Sequence, residues 1–194
     1  MSAVKQLQLI SVDDYLAGEL VSPVKHEYLG GFVYAMAGAK NSHNRIAVNI
    51  LGRLHALLRG QRCQPCNSDT KVRVRSATHT RFYYPDTSVV CQENPRGDSY
   101  QDNPVVIFEV LSKGTRRADE GEKKDAYLSI PTLRAYVLVE QETATIVVYR
   151  RGDQGFASEV HEGMDAVLPL PEIEVELPLR EMYEGVEFAP EPEE

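Results

Sequence analysis

Asp86 and Glu109 each stand as the single acid in an apolar run, Tyr83-Tyr84-Pro85-Asp86-Thr87-Ser88-Val89-Val90 and Val105-Val106-Ile107-Phe108-Glu109-Val110-Leu111. Short β-branched runs bounded by Pro, Asn, Gly and Ser suit strands in a sheet interior. An ionised acid there is costly unless a cation or strong donors compensate it. Two acids on neighbouring strands repel each other, and a divalent cation between them relieves both. Antiparallel neighbours place side chains about 5 Å apart, a gap that one Mg²⁺ or Mn²⁺ bridges, with the Val110 carbonyl as a third oxygen ligand. Such a cation polarises a phosphoryl oxygen and acidifies its water, the chemistry of phosphodiester hydrolysis. Taken singly, either acid also reads as a solvated residue on an edge strand.

That chemistry needs a fixed cation near the transition-state charge, and Lys123 is the candidate. Asp119, Lys123 and Tyr127 recur every four residues and share one helix face. From there Lys123 could stabilise phosphorane charge or orient the attacking water; the plainer alternative is an exposed Asp119–Lys123 pair. Lys124 reads as an ordinary surface lysine. Two upstream residues are accessory candidates. Glu27, with alternating apolar neighbours, could contact water on the metal or hold Lys123. His43 opens a basic helix whose N-terminus favours anions.

The elements that must position these groups follow from periodicity. Ser11 caps a short helix, with Asp14 at the capping-box position. Gly30-Gly31 turns a hairpin of strands 26–29 and 32–36. Asn41 or Ser42 caps a helix over 43–59, with Ile46, Ile50, Leu54, Leu57 and Leu58 as its buried stripe and Gly60 as its stop. Strands are expected at 66–75, 84–91 and 105–111, then a helix over 117–128 ended at Ile130-Pro131. A second hairpin pairs 135–140 with 145–149. Shorter strands follow at 156–160 and 166–168, an alternating strand at 173–177 and a short helix at 179–183.

Composition sets the frame. The chain has 194 residues, 42% hydrophobic and 26% charged, which suits one domain over 1–188. Residues 189–194, with two prolines and three acids, read as a disordered tail. No apolar stretch is long enough for a bilayer and the start lacks a signal-peptide pattern, so no membrane partner and a cytoplasmic setting are expected. Cys63, Cys66 and Cys91 are an odd number, which does not suit a disulfide framework, and Cys63-Gln64-Pro65-Cys66 reads as inert. Net charge is −8, yet residues 153–194 carry −12 and the rest +4. Within 40–81 there are nine bases and one acid. A basic stretch beside a carboxylate site fits a phosphate polymer, though a solvated basic face reads equally well. The acidic segment could mask that face, or offer its 173–177 strand edge to a second copy in a homodimer.

These residues resemble the Uma-type family of putative endonucleases, within the PD-(D/E)XK restriction-endonuclease-like superfamily. The resemblance covers 13–151. It rests on the order and spacing of His26-Glu27-Tyr28-Leu29-Gly30-Gly31, Ser42-His43-Asn44-Arg45-Ile46, Ser68-Asp69 before Lys71-Val72-Arg73-Val74, Tyr84-Pro85-Asp86, Phe108-Glu109-Val110-Leu111-Ser112, Asp119 with Lys123 and Tyr127, and Tyr136-Val137-Leu138-Val139. It implies an α/β fold with a central mixed β-sheet flanked by helices, here with an N-terminal β-hairpin and extra C-terminal strands. It further implies Asp86 and Glu109 as metal ligands for Mg²⁺ or Mn²⁺, Lys123 as the catalytic lysine, Glu27 and His43 as accessories, and DNA as substrate. The superfamily motif puts its lysine two residues after the second acid, where this chain has Leu111; the Uma-type pattern moves it to the following helix. A non-cleaving nucleic-acid-binding protein and a hydrolase of a smaller phosphoester are the alternatives.

Overall fold

Pro85 breaks the apolar run around Asp86 into two strands. Lacking an N–H, it cannot continue a ladder, and it restricts Tyr84 before it. The computed structural model, which describes residues 9–188, therefore has the chain leave one sheet at Tyr83 and enter another at Thr87, with Asp86 at the crossing. The run expected over 66–75 is likewise two strands, parted by a turn at Ser68-Asp69-Thr70.

The element order is α1 (Val12–Glu19), β1 (His26–Leu29), β2 (Phe32–Ala35), α2 (Asn41–Leu57), β3 (Gln64–Asn67), β4 (Lys71–Arg75), β5 (Thr80–Tyr83), β6 (Thr87–Val90), β7 (Tyr100–Gln101) and β8 (Pro104–Val110). It continues with α3 (Arg116–Asp119), α4 (Glu122–Leu128), β9 (Ala135–Val139), β10 (Thr145–Gly152), β11 (Gly155–Glu162), β12 (Val167–Leu170), β13 (Val175–Pro178) and α5 (Leu179–Met182). Instead of one central sheet there are two larger ones: a five-stranded sheet, β2-β1-β5-β4-β7, and a six-stranded sheet, β11-β10-β9-β8-β6-β3. Both are mixed, since β4 pairs β7 and β8 pairs β9 in parallel. A small β12-β13 ribbon completes the fold.

The pleat of β8 explains the layers. Val106, Phe108 and Val110 face a core built with Ile46, Ile50 and Leu54 of α2 and with Leu168, Leu177 and Met182. Ile107 and Leu111, on the opposite face, join Val72, Val74, Tyr83, Ala126, Tyr127 and Tyr136 between the two large sheets. Glu109 has the parity of the second face, so alternation carries it between the sheets.

Several local expectations are corrected. Lys40, not Asn41 or Ser42, occupies the N-cap of α2 and makes no side-chain cap bond. The helix expected over 117–128 is split at Gly121, where a Cβ would meet the Arg117 carbonyl oxygen at 2.8 Å. The 173–177 strand does not alternate throughout: Ile173 ends a 3-10 turn and Glu174 is left-handed at φ 58°, so β13 starts at Val175 and pairs with β12. Cys63 is bonded to Cys91, and Cys66 is free, so the CxxC is not a redox pair. The expected disordered tail at 189–194 lies outside the described residues. Among the described residues no helix is long and apolar enough to cross a membrane.

Candidate active site

Five segments deliver side chains to one buried cluster. β6 and β8 are antiparallel with Thr87 opposite Phe108, which brings Asp86 beside Glu109. The Asp86 N–H donates to Glu109 Oε2 at 3.3 Å, and the Val110 N–H donates to Asp86 Oδ2 at 2.7 Å. His43, in the first turn of α2, sets Nε2 3.2 Å from the same Asp86 oxygen. Lys123 reaches in from α4: its Nζ lies 2.8 Å from Glu27 Oε1, 3.4 Å from Asp119 Oδ1 and 3.6 Å from Glu109 Oε1. All five site residues inferred from the sequence are thus brought together, and Val110 contributes its backbone.

Three residues with no assigned role join them. Asp119, in sequence only the i,i+4 neighbour of Lys123, is 1% exposed and part of the cluster. The Tyr127 hydroxyl donates to Glu109 Oε1 at 3.2 Å. Their spacing with Lys123 was the signal available for both. Gln141, at a hairpin corner, gave none. It accepts from Ser42 Oγ at 3.0 Å and donates to the Leu111 carbonyl, tying the start of α2 to the end of β8. That strut keeps His43 beside Asp86.

The helices are anchored by apolar contacts and a few polar ties. Ala126 and Tyr127 bury α4 against Ile107, Leu133 and Tyr136. The Tyr136 hydroxyl donates to the Asp119 carbonyl at 2.9 Å, and Arg116 forks onto Glu140 at 2.7 and 2.5 Å. Asp119 and Lys123 lie on separate helices, α3 and α4, yet their side chains still meet at 3.4 Å across the break at Gly121. Lys124 is half-buried over the Tyr149 ring rather than free in solvent.

Electrostatics follow from burial and crowding. Burial raises the Glu109 pKa well above 4.5; Lys123 opposes this, while Asp86, Asp119 and Glu27 add to it. Asp119 is raised for the same first reason. Burial alone would depress Lys123, but Glu109, Glu27 and Asp119 outweigh it and hold the ammonium protonated. Burial also opposes protonation of His43, and Asp86 overcomes it, leaving the imidazole raised above 6.5. Four carboxylates face one lysine and one histidine. Among the described residues no three His, Cys, Asp or Glu side chains converge as a ready ligand set. An excess of buried anionic oxygen still suits a hard divalent cation held by two carboxylates, a carbonyl and water.

The two-sheet α/β domain has a nuclease-like fold. Residues 12–180 match the family Uma2, described as putative restriction endonuclease, and the chain belongs to that family. The match runs past Arg151, so the C-terminal strands are part of the family's own domain. The chain is 30% identical to an uncharacterized protein of Synechocystis, slr1290, over 92% of this chain and 94% of that one. A second uncharacterized Synechocystis protein, sll1609, is 28% identical over 79% of this chain and 88% of its own length. A crystal structure of a putative nuclease belonging to DUF820 from Anabaena variabilis superposes with a TM-score of 0.67 at 18% identity, covering 87% of this chain and 96% of that one. It shares the fold.

Proposed function

We propose that this chain is a divalent-metal-dependent endonuclease that hydrolyses DNA phosphodiester bonds at the Asp86–Glu109–Lys123 cluster. The observation that carries the reading is the meeting in one place of an acid just before β6, an acid on the adjacent β8 and an ammonium from a third segment. Asp86, Glu109 and the Val110 carbonyl would hold Mg²⁺ or Mn²⁺. The Val110 N–H points to Asp86, and in an extended strand a residue's N–H and C=O face the same edge. Its neighbour's N–H, that of Leu111, is bonded instead to Val139 of β9.

When bound, the cation supplies Lewis-acid polarisation of a phosphoryl oxygen and a more acidic water. The protein's own groups do the rest. Lys123 stays protonated and donates to phosphoryl oxygens as negative charge accumulates there. Glu27 and Asp119 fix the direction of its ammonium. The Tyr127 hydroxyl holds Glu109 Oε1, and His43 with the Val110 N–H holds Asp86 Oδ2, so both acids are fixed before substrate arrives. Burial of Glu109 and Lys123 limits solvent screening between them. Lys40 and Arg45 near His43, with Lys113 and Arg117 after β8, are exposed and suit contacts to a phosphate backbone.

One observation favours a smaller phosphoester as substrate. Part of the basic stretch is taken up by ion pairs within the chain: Arg53 pairs with Glu181, Arg73 with Asp102 and Arg81 with Glu122. The test is supercoiled plasmid in Mg²⁺ or Mn²⁺, with Asp86→Ala and Glu109→Ala beside the wild type. Metal-dependent nicking lost in both variants is expected. Turnover of a nitrophenyl phosphodiester with no nicking of any polymer would replace the DNA reading with the smaller substrate.

A further inference from the structure

The backbone ladder between β1 and β5 joins Tyr28 to Phe82 and Leu29 to Arg81, with the Gly30 N–H donating to the Thr80 carbonyl beyond them, and it stops at Tyr28 on the side toward Glu27. Continued in register, the next pairs would be Glu27 opposite Tyr83 and His26 opposite Tyr84. The strands part there, where Glu27 enters the site and the chain turns toward Asp86. A side chain takes over at that point. Glu19, the last residue of α1, accepts from the His26 N–H at 3.2 Å and from the Tyr84 hydroxyl at 2.7 Å, while its other oxygen lies 2.7 Å from His26 Nδ1. Its side chain is 5% exposed.

We infer that Glu19 is a positioning residue that sets the spacing between Glu27 and Asp86, and through them the geometry of Lys123 and the acid pair. Strand alternation supplies the lever. Tyr28 and Phe82 face α1 and pack on Tyr15, and His26 and Tyr84 share their parity. Glu27 and Tyr83 point the other way, between the sheets. Glu19 thus pulls the two strands together from the outer face while their inner faces carry the site. Its carboxylate spans two residues that each stand close to a site acid, His26 beside Glu27 and Tyr84 two before Asp86.

The rest of the network fixes the polarity of the clamp. Lys71, 5% exposed, donates Nζ to the Tyr84 hydroxyl at 3.2 Å and lies 5.2 Å from the centre of its ring. An ammonium can only donate and a carboxylate can only accept, so the hydroxyl must turn its proton to Glu19. The Tyr15 hydroxyl donates to the His26 carbonyl at 2.6 Å, which seats α1 on β1. Among the described residues no hydrogen bond or ion pair joins Glu19, Lys71 or Tyr84 to Asp86, Glu109 or Lys123, so the effect is indirect.

The inference rests on the metal-site reading for its consequence but not for its geometry, and the test separates the two. Wild type, Glu19→Ala, Glu19→Gln and Tyr84→Phe are compared in Mn²⁺ affinity by calorimetry and in the Lys123 side-chain nitrogen resonance, assigned with Lys123→Arg. Glu19 bonds to neighbours of the site acids and not to the acids themselves, so its loss weakens metal binding by roughly three- to tenfold, less than the loss of a direct partner of a ligand usually brings. We expect that loss in Glu19→Ala, a smaller one in Glu19→Gln, and a shifted Lys123 resonance in both. Tyr84→Phe removes one oxygen from a ring that stays packed, so it serves if Glu19→Ala does not fold. Folded variants with unchanged Mn²⁺ affinity and an unmoved Lys123 resonance would overturn the clamp. A wild type that binds no Mn²⁺ would sink the metal site instead, and the Lys123 resonance would still judge Glu19.

Discussion

Lys123 Nζ lies closer to Glu27, at 2.8 Å, than to Glu109, at 3.6 Å. The ammonium is therefore held chiefly by the hairpin acid, so Glu109 can give its charge to a cation from the place it already occupies without stranding the lysine. Glu27→Gln keeps the shape and removes the charge that holds Lys123. Turnover should fall by roughly 10- to 100-fold while Mn²⁺ affinity stays nearly unchanged. A calorimetric titration beside a nicking time course separates the two. Equal losses in both would make Glu27 a ligand instead.

Cation binding should appear as stability, because the unfolded chain has no assembled site. At a concentration about 100 times Kd, linkage gives about 2.7 kcal/mol. For a domain of this size that raises Tm by roughly 5–11 °C. Thermal scans with and without Mn²⁺ should show the rise in wild type and its loss in Asp86→Ala. A variant that responds like wild type would remove Asp86 from the donor set.

How much of this was legible depended on the range of each contact. Asp86, Glu109 and Lys123 could be found because an acid in an apolar run and a four-residue spacing are local signals. The α2 stripe of Ile46, Ile50 and Leu54 was equally local, and it is fully buried. The sheet count was not. The run over 66–75 holds the end of β3 and all of β4, and only the turn at Ser68-Asp69-Thr70 sends them to different sheets; the apolar run around Asp86 starts on the last residue of β5, and Pro85 ends that strand before β6 begins at Thr87 in the other sheet. Gln141 and Glu19 were invisible for the opposite reason. Each is a polar residue at an element end whose partners are up to 99 residues away in Gln141, and 65 in Glu19. The Cys63–Cys91 bond was missed because cysteine parity counts residues and says nothing of β3 lying beside β6.

Tyr127 supplies the hydroxyl donor to the buried Glu109 Oε1. Tyr127→Phe leaves the ring packed against Tyr83 and Tyr136, with centroids 5.3 and 5.5 Å away, and deletes only that donor. An acceptor left short in a buried place costs about 1–3 kcal/mol. The expected drop in Tm at neutral pH, without metal, is roughly 2–12 °C. No drop would mean that Lys123 alone satisfies that oxygen.

Glu109 gives the metal-free protein a pH dependence of defined sign. Its folded pKa is raised, first by burial and then by Asp86, Asp119 and Glu27 against the pull of Lys123. The folded state therefore keeps a proton that the unfolded chain releases near 4.5. Stability falls as pH rises from there through the folded pKa. In EDTA, wild-type Tm should decline across that window, and Glu109→Gln should flatten the decline and be the more stable protein at pH 8. A parallel decline in both would assign the slope to other groups.

His43 acts in a higher window and with the protonated form favoured. Its folded pKa is raised above 6.5 because Asp86 overcomes the cost of burial. The stabilisation by protonated His43 is fully present below about 6.5 and is lost as pH rises through the folded pKa. His43→Ala in EDTA should therefore cost more stability at pH 6 than at pH 9. The part that disappears belongs to the 3.2 Å contact with Asp86, and the part that persists to the packing of the ring. Because the same Asp86 oxygen also accepts from the Val110 N–H, the carboxylate should keep its place in the variant. Mn²⁺ affinity at pH 9 is then expected within about threefold of wild type, a change smaller than losing a supporting residue usually brings. A larger loss at that pH would show that His43, and not the backbone, fixes Asp86.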